Sequence, residues 1–409
     1  MPQDLLPLEA ALEQLLQKAC RVAESETIPT MQANRRVLTS DIVSSLDVPP
    51  WDNTQMDGYV VRAGDVRVGV SLPVSQRIPA GSVGADLEPG TAARIFTGAA
   101  IPSGADAVVM QEETEADGDQ VRFKTVPSVG QWIRRQGEDI KSGSVILPAG
   151  TRLSPQAIGL AASVGLPELS VSRPVRVACF FTGDELTMPG EPLKPGAIYN
   201  SNRFVLVGLL KNLGCEVTDL GIVPDSLEAT RRALREAAAE NDLIVTSGGV
   251  SVGEEDHVKP AVEAEGELQM WKLNIKPGKP LAYGQVRRPG ARVGPENAHF
   301  IGLPGNPVSS FVTFLLLVRP FILRLQGATR VLPAAIQMPA AFDLARPDRR
   351  REFLRAAINE SGTLDLYRNQ SSAVLTSTVW GDGLIDNPPG GEIKAGAFVR
   401  FLPFDQLLF

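Results

Sequence analysis

The amino-acid sequence predicts a multidomain α/β protein, and three observations support that fold class. At 409 residues, the chain is too long for one ordinary hydrophobic core. Between residues 173 and 327, short apolar runs alternate with helical patterns, which is typical of parallel βαβ units. On both sides of this region, short β-branched runs are separated by Gly and Pro turns, which indicates β-rich units.

The first residues predict an amphipathic helix, because apolar side chains recur at helical spacing at Leu5, Leu8, Leu12, Leu15 and Ala19. Acidic residues stand where a signal peptide carries basic ones, and no apolar run is long enough for a membrane span. The longest run, 311–325, is interrupted by Arg319 and Pro320 and predicts a buried helix. We therefore expect a cytoplasmic protein that does not associate with membranes.

The remaining elements follow in order along the chain. Residues 41–155 predict a β-rich unit with irregular loops. In the central region VRVACFF, CEVTDLGIV and NDLIVTSGG predict strands, whereas residues 200–212 and LEATRRALREAAAE predict helices. In the last eighty or so residues, the candidate strands are VLTSTVW, GLIDNPPGGEI and AFVRFLPF.

Composition excludes several classes of function. Forty basic and forty-seven acidic residues give a net charge of −7, which argues against a general nucleic-acid-binding protein. The three cysteines are widely spaced and there are only two histidines, so neither a structural zinc site nor a disulfide framework is expected. A metal ion in this chain would be a hard cation with oxygen ligands.

Three predicted strands end in loops suited to an anion, because ligands of an open α/β sheet bind beyond the carboxyl ends of its strands. The loops are Thr182–Glu185, Ser247–Asp256 and Gly302–Ser309. Their glycines allow backbone N–H groups to approach an anion, and a helix N-terminus after Asn306 and Pro307 would add a favourable field. Each loop alone could be only a tight turn, but three together predict an anion site.

Basic residues are concentrated between residues 268 and 295, where there is no Asp or Glu. Lys272 and Lys276 are four residues apart, so an extended segment would place both on one face. The alternative interpretation is a solvated edge strand protected by lysines. Glu185 and Asp256 lie beside the predicted anion loops, which favours a Mg²⁺ ion between carboxylates and phosphate; the alternative is that these acids cap helices.

Several long motifs occur in an order and spacing that resemble one known family. They are WDNTQMDGYVVR, FTGAAIPSGADAVVMQE, IRRQGEDI, TGDEL, SGGVSVGEED, KPGKP and GLPGNPVS. Together they are similar to MoeA-type molybdopterin molybdenumtransferases, a group that includes the E domain of gephyrin. The resemblance runs from about residue 5 to the C-terminus and is looser over the last eighty residues.

The resemblance implies a homodimer whose protomer contains a three-layer α/β subdomain that binds molybdopterin. It also implies a β-rich insert, a small linking subdomain and a C-terminal β-barrel. The expected boundaries are an N-terminal helix in 1–26, the linking subdomain in 27–45 and 141–172, the insert in 46–140, the α/β subdomain in 173–327 and the barrel in 328–409. The implied reaction is Mg²⁺-dependent insertion of molybdate into adenylylated molybdopterin, with release of AMP.

The strand-end loops, the basic segment and the resemblance together give the candidate site residues. The catalytic candidates are Asp57, Thr97, Glu185, Asp256, Lys272 and Lys276. The substrate-binding candidates are Asp139, Thr182, Gly183, Asp225, Ser247, Gly248, Gly249, Gly253, Lys279, Pro304, Gly305, Asn306, Pro307, Arg351 and Ser372. Glu185 and Asp256 are the expected Mg²⁺ ligands. The chain departs from the usual pattern at Ser371, which stands where the family has Gly, and at Glu255 and His257.

Two other functions remain as alternatives. The first is the adenylyltransferase step, which joins ATP to molybdopterin and would need only the central subdomain. The second is a scaffold or peptide-binding module of the gephyrin type, which would not require acids and lysines around glycine loops. Expected partners are a second copy of the chain and, in addition, an adenylyltransferase or a molybdoenzyme.

Overall fold

A computed structural model describes residues 5–22, 24–249, 257–288 and 297–408. The predicted first helix is confirmed as α1 (Leu8–Lys18), which buries Leu8, Ala11 and Leu15 against the central part of the chain. Two antiparallel pairs follow, β1 with β12 and β2 with β11. The elements of this part are β1 (Ser25–Pro29), β2 (Ile42–Val43), β11 (Val145–Leu147), α2 (Pro155–Ser163) and β12 (Glu168–Ser172).

The β-rich texture between these pairs is confirmed as a six-stranded sheet of the described residues, in the order β7-β4-β6-β5-β9-β8, with β3 and β10 paired beside it. The alternating apolar residues of these strands form two buried clusters, one on each face of the sheet. The strands are β3 (Asn53–Thr54), β4 (Gly58–Val61), β5 (Ser71–Ile78), β6 (Ala92–Ile95), β7 (Ala107–Met110), β8 (Thr114–Asp117), β9 (Gln120–Phe123) and β10 (Ile133–Arg134).

The central sheet has the order β16-β13-β17-β21-β20-β18 in the described chain. Its first four strands are parallel, as predicted. The next strand, β20, runs antiparallel to them, and β18 runs antiparallel to β20, so the sheet is mixed. The strands of this region are β13 (Arg176–Thr182), β14 (Leu186–Thr187), β15 (Ile198–Tyr199), β16 (Glu216–Val223), β17 (Leu243–Ser247), β18 (Gly266–Lys272), β19 (Ile275–Lys276), β20 (Pro280–Arg287) and β21 (Asn297–Leu303).

Helices cover both faces of the central sheet. The helices are α3 (Ser201–Asn212), α4 (Leu227–Glu240), α5 (Val258–Glu265), α6 (Pro307–Thr313) and α7 (Arg319–Leu325), the last two joined by a π-helical turn (Phe314–Val318). The continuous stretch Pro307–Leu325 is long and apolar enough to cross a membrane but is almost wholly buried, as the interrupted apolar run predicted. Ser226 and Asn200 cap α4 and α3 through side-chain oxygens, which fixes where both helices begin.

The C-terminal strands form a curled sheet, β19-β23-β25-β26-β22, and β24 pairs with β23 on the same edge as β19. An isolated bridge between Ala340 and Leu364 brings the two ends of this sheet together, which gives a half-barrel. The elements are β22 (Ile336–Pro339), β23 (Arg351–Ile358), β24 (Leu364–Leu366), α8 (Thr376–Trp380), β25 (Gly383–Asn387) and β26 (Phe398–Pro403). Short 3₁₀ helices elsewhere are Thr30–Gln32, Ala63–Asp65, Gln111–Glu113 and Phe404–Gln406.

One predicted strand of the C-terminal part is wrong. The β-branched run VLTSTVW contains the short helix α8 rather than a strand, although GLIDN and FVRFLP are strands as expected. Tertiary contacts override the local preference, because the helix buries Ser377 completely and directs its hydroxyl toward Nε of the buried Arg355 at 3.1 Å.

Candidate functional site

A cavity of about 1060 Å³ lies beyond the carboxyl ends of the parallel strands. The turns after β13, β17 and β21 form its floor, and these three strands are adjacent in the sheet. The segment between β14 and α3 forms one wall, and the C-terminal half-barrel contributes another through Arg350 and residues 370–373. The predicted convergence of three glycine-containing turns is therefore confirmed.

Gly248 and Gly249 allow the turn after β17 to pass close to its neighbours. Gly248 has a φ of +98°, and a Cβ atom there would stand 2.7 Å from the carbonyl oxygen of Thr182. Gly249 has a φ of +63°, and a Cβ atom would stand 2.4 Å from Cγ2 of Val258. A residue with a side chain would have to move these neighbours, so the backbone reaches the cavity only because both positions are glycine.

A hydrogen-bond network centred on Ser247 joins the turns. Its buried hydroxyl donates to the carbonyl oxygen of Pro304 at 2.9 Å and accepts from Nδ2 of Asn202 at 2.8 Å. Asn202 also donates to the carbonyl oxygen of Gly305 at 2.8 Å. The first turn of α3 is thereby tied to both the β17 and the β21 turns, which fixes the floor of the cavity.

Two basic side chains that share a carboxylate partner, Lys276 and Arg350, line the cavity. Nζ of Lys276 lies 3.1 Å from Oε1 of Glu352 and 3.4 Å from Oδ2 of Asp348. Arg350 donates from Nε and Nη2 to the two oxygens of Asp348 at 3.0 and 3.1 Å. Hydrogen bonds from the Arg350 guanidinium hold the pKa of Asp348 well below its usual value. Lys279 adds a third basic residue to the lining.

Two carboxylates, Glu185 and Asp225, line the same cavity. Asp225 accepts a hydrogen bond from the Thr182 hydroxyl at 3.2 Å, and Glu185 is exposed beside Gly183. In the described part of the chain there is no group of three or more His, Cys, Asp or Glu side chains that could hold a metal ion. One or two carboxylates beside a phosphate-sized space nevertheless fit Mg²⁺, which completes its shell with water and substrate oxygens.

The loop at residues 370–373 closes the cavity on the C-terminal side. Ser372 lines the cavity, and its carbonyl oxygen accepts from the backbone N–H of Val308 at 3.0 Å. Arg355 is fully buried and donates from Nη2 to the carbonyl oxygen of Ser371 at 3.2 Å. Burial lowers the pKa of Arg355 to about 10. The amide of Gln370 clasps both backbone groups of Arg355, so this loop is held by the half-barrel core.

Most of the predicted site residues lie together in this cavity, and the others fall into three groups. Those that line the cavity are Thr182, Gly183, Glu185, Asp225, Ser247, Gly248, Gly249, Lys276, Lys279, Pro304, Gly305, Asn306, Pro307 and Ser372. Pro307 begins α6, but the side chain of Asn306 makes no capping hydrogen bond. Gly253 and Asp256 form the first of the other groups, and both lie outside the described residues.

Asp57, Thr97 and Asp139 form the second group, and none of them is among the cavity-lining residues of the described chain. Asp57 accepts hydrogen bonds from the Thr97 hydroxyl at 2.6 Å and from the Thr97 backbone N–H at 2.7 Å. These bonds hold the pKa of Asp57 below its usual value. The two residues therefore form a preorganised carboxylate–hydroxyl pair on the insert, and Asp139 is exposed in the same part of the chain.

Lys272 and Arg351 form the third group, and neither is among the described residues that line the cavity. Lys272 ends the edge strand β18, and a bend at Asn274 separates it from Lys276, whose strand belongs to the C-terminal sheet. Lys272 thus lies on an edge strand, as the alternative interpretation has it, and its role in the site stays a prediction. Arg351 binds Asp386 at 2.5 and 2.7 Å and faces a different cavity, because successive strand residues point to opposite faces.

Sequence reasoning missed several lining residues, of which Asn202 and Arg350 have the clearest chemical roles. Arg350 precedes Arg351 within the run DRRR, where composition alone does not decide which arginine faces the cavity. Asn202 follows the N-cap of a correctly predicted helix, and a polar residue in the first turn after a strand-end loop was an available signal. Arg287 and Arg288 bind backbone oxygens of α5 and of Asn241, so they do not extend the basic wall.

Three family models match the chain in the order that the motifs predict. They are the MoeA N-terminal region (domain I and II) at residues 6–165, the probable molybdopterin binding domain at residues 178–324, and the MoeA C-terminal region (domain IV) at residues 337–404. Together these three segments cover most of the chain, including every described element of the cavity wall.

Known proteins agree with these models. A molybdopterin molybdenumtransferase of Haemophilus influenzae is 39% identical over 99% of this chain and 100% of its own length. Molybdopterin molybdenumtransferase 2 of Mycobacterium tuberculosis is 36% identical over 93% of this chain and 95% of its own length. The crystal structure of the molybdopterin biosynthesis moeA protein from Pyrococcus horikoshii superposes with a TM-score of 0.82 at 29% identity, covering 98% of this chain and 100% of that one. The chain therefore belongs to the MoeA family of molybdopterin molybdenumtransferases.

Proposed function

We propose that the protein inserts molybdate into adenylylated molybdopterin, with Mg²⁺ as cofactor and with release of AMP, to form the molybdenum cofactor. The observation that carries this proposal is the cavity itself. It has a volume of about 1060 Å³, and its lining combines three glycine-containing turns with Lys276, Lys279 and Arg350. This combination suits a substrate that carries phosphate groups together with a second, free oxyanion.

The chain's own residues would divide the work by position. The backbone of Gly248 and Gly249 approaches phosphate oxygens without a side chain in the way. Lys276 and Arg350 attract molybdate oxygens, Arg350 through a planar fork and Lys276 as a point charge. No covalent intermediate is needed, because holding two anions at reacting distance and compensating their charge already lowers the barrier.

Glu185 would bind the Mg²⁺ ion together with substrate oxygens, and Asp256 remains proposed as the second ligand. When bound, Mg²⁺ neutralises charge on the phosphate bridge and on the departing AMP. Asp225 lies across the same turn and is anchored by Thr182, so it is placed to accept hydrogen bonds from substrate or from metal-bound water. Exposed or half-buried oxygen donors of this type support a hard cation rather than zinc.

The direct test is an assay with purified protein, adenylylated molybdopterin, molybdate and Mg²⁺. AMP release is measured by chromatography, and cofactor formation by reconstitution of an apo-molybdoenzyme. We expect both products to require molybdate and Mg²⁺. Lys276→Met should lower the rate by about ten- to a hundredfold, the loss of one charge-assisted contact. The matched control is Lys211→Met on the exposed end of α3, which should leave the rate unchanged.

The rival adenylyltransferase reaction is tested in the same preparation. ATP and molybdopterin are supplied without molybdate, and pyrophosphate is measured. Robust pyrophosphate formation would overturn the proposed function in favour of the rival. The described elements outside the central sheet count against the rival, since Arg350 and Ser372 of the half-barrel complete the cavity wall.

We further propose that the protein is a cytoplasmic homodimer in which the Asp57–Thr97 pair of one protomer approaches the cavity of the other. This arrangement would explain why a preorganised carboxylate–hydroxyl pair lies apart from the cavity lining of its own described chain. Mixing the impaired Asp57→Asn and Lys276→Met proteins should then raise the activity to about a quarter of that of wild type, because half of the dimers are mixed and each has one intact site. A mixture that stays inactive would contradict sharing between protomers.

A further inference from the structure

Two carboxylates lie behind the cations of the cavity. Lys276 and Arg350 belong to the cavity lining, whereas Asp348 and Glu352 do not. Each carboxylate nevertheless contacts Lys276, at 3.4 Å from Asp348 and 3.1 Å from Glu352, and Asp348 also holds both Nε and Nη2 of Arg350. The four side chains form one connected cluster, in which the two cations line the cavity and the two carboxylates lie behind them.

Hydrogen bonds from backbone N–H groups of the half-barrel hold both carboxylates in place. Glu352 is buried, and it lies in β23 directly opposite Lys276 of β19 in the parallel register. Its second oxygen accepts from the backbone N–H of Asp348 at 3.0 Å. Asp348 in turn accepts from the backbone N–H of Arg350 at 2.9 Å. These contacts leave neither carboxylate free to rotate away, which distinguishes the cluster from an exposed ion pair.

The cluster restricts which N–H donors can reach a ligand. A lysine ammonium has three donors, and Lys276 donates one of them to Glu352 at 3.1 Å while Asp348 stands 3.4 Å away on another side, so the ammonium is held from two sides and keeps a donor for the cavity. Arg350 has five donors: Nε and Nη2 bind Asp348, and Nη1 lies 3.5 Å from the carbonyl oxygen of Ile275, so one N–H of each terminal nitrogen remains. Two long and flexible side chains thus become directional donors before any ligand arrives.

We propose that Asp348 and Glu352 are positioning residues that aim the free donors of Lys276 and Arg350 at one oxyanion. The inference rests on the proposed function only in taking that oxyanion to be molybdate. A lysine without these carboxylate contacts would lose rotamer freedom on binding. Loss of the contacts should therefore weaken oxyanion binding by about ten- to thirtyfold. The carboxylates themselves do not touch the reacting atoms.

Electrostatics alone predicts the opposite sign, and that makes the inference testable. Both carboxylates are negative and lie close to where an anion would bind, so neutralising one should strengthen anion binding if it acts only through its charge. Positioning predicts weaker binding after the same change. Glu352→Gln therefore separates the two effects, because it removes the charge and keeps the shape of the side chain.

The experiment measures binding of molybdate and of inorganic phosphate by equilibrium dialysis, with no turnover required. The proteins are wild type, Glu352→Gln, the control Glu360→Gln and both Glu variants in a Lys276→Met background. Glu360 is an exposed carboxylate of the same C-terminal unit that is not among the cavity-lining residues. We expect at least tenfold weaker molybdate binding for Glu352→Gln and less than a twofold change for Glu360→Gln.

The Lys276→Met background distinguishes positioning from general damage. If Glu352 acts through the lysine, Glu352→Gln in the Lys276→Met background should weaken molybdate binding by less than about threefold. Only the effect that Glu352 has on Arg350 through Asp348 then remains. A full tenfold penalty in that background would overturn the inference, and so would unchanged or tighter molybdate binding in Glu352→Gln alone. Thermal melting of each variant checks that the fold is intact.

The turnover assay separates this inference from the proposed function. In that assay Glu352→Gln should raise the molybdate concentration for half-maximal rate and leave that for adenylylated molybdopterin within about threefold. If wild type binds molybdate in a Glu352-dependent way but releases no AMP, positioning stands and the proposed function fails. If wild type turns over and Glu352→Gln matches it in both constants, or if wild type binds neither anion, positioning fails.

Discussion

The turn after β17 provides a sharp test of the cavity floor through Gly248→Ala. Gly248 is at a φ of +98°, with the carbonyl oxygen of Thr182 2.7 Å from the position of a Cβ atom. Its own N–H donates to the carbonyl oxygen of Leu303 at 3.2 Å, so it is held between the ends of β13 and β21. An added methyl group would press on one neighbouring strand end while the backbone is tied to the other.

The cost has two parts that can be estimated separately. Alanine at a positive φ is disfavoured by about 1–2 kcal/mol because its Cβ approaches the adjacent carbonyl oxygen. Forcing a methyl group against an immobile backbone atom adds about 1–3 kcal/mol. The free energy of unfolding should therefore fall by about 2–5 kcal/mol in Gly248→Ala. Phosphate binding should weaken as well, because the strand ends must separate to relieve the contact.

Gly190 offers a control with nearly the same backbone angle. Its φ is +97°, and nothing lies within 4 Å of a Cβ atom built there. Gly190→Ala should thus show only the first part of the cost, about 1–2 kcal/mol at most, with unchanged phosphate binding. Both variants are measured by denaturant unfolding and by equilibrium dialysis with inorganic phosphate. Equal losses of stability, or normal phosphate binding by Gly248→Ala, would refute the close approach of the turn to Thr182.

Three further predictions concern buried ionisable groups. Asp242→Asn should cost about 3 kcal/mol in unfolding free energy, because Asp242 is buried and binds two arginines, whereas Glu216→Gln in an exposed pair should cost less than about 0.5 kcal/mol. Burial lowers the pKa of His299 to about 4, so protonation of His299 should lower the free energy of unfolding by about 3 kcal/mol between about pH 6.5 and 4. His299→Gln should lose this share of the pH dependence, as measured by denaturant unfolding at each pH. Arg355→Lys should lower the free energy of unfolding by about 2 kcal/mol and weaken phosphate binding. A single lysine nitrogen cannot reach the Ser371 carbonyl, the Phe353 carbonyl and the Ser377 hydroxyl together. An unchanged melting temperature would contradict this.

The floor of the cavity could be predicted from the sequence because its signals are local. A continuous apolar run such as LIVTS followed by two glycines indicates a strand and its turn without knowledge of the rest of the chain. Parallel strands then bring such turns to one edge of the sheet, and this rule requires only the alternation of strands and helices. Thr182, Ser247 and Gly305 were correctly placed for this reason.

The basic wall could not be predicted in the same way, because it depends on long-range pairing. Whether Lys272 or Lys276 faces the cavity is decided where the chain leaves β18 for a strand of another sheet. The register of that second strand against β23 then selects Arg350 over Arg351, since a shift of one residue exchanges the two faces. A single sequence contains no local signal for a strand partner 76 residues away.

Helix α8 shows how the half-barrel core and the cavity wall depend on each other. A strand over VLTSTVW would satisfy local propensity, but the buried guanidinium of Arg355 needs neutral acceptors on several sides. The helix supplies the Ser377 hydroxyl, and the loop before it supplies the Ser371 carbonyl. That loop also presents Ser372 to the cavity. Arg355 therefore holds in place both the helix and the loop that forms this cavity wall. Substitutions that stabilise a strand in this run should therefore weaken ligand binding even where they do not touch a lining residue.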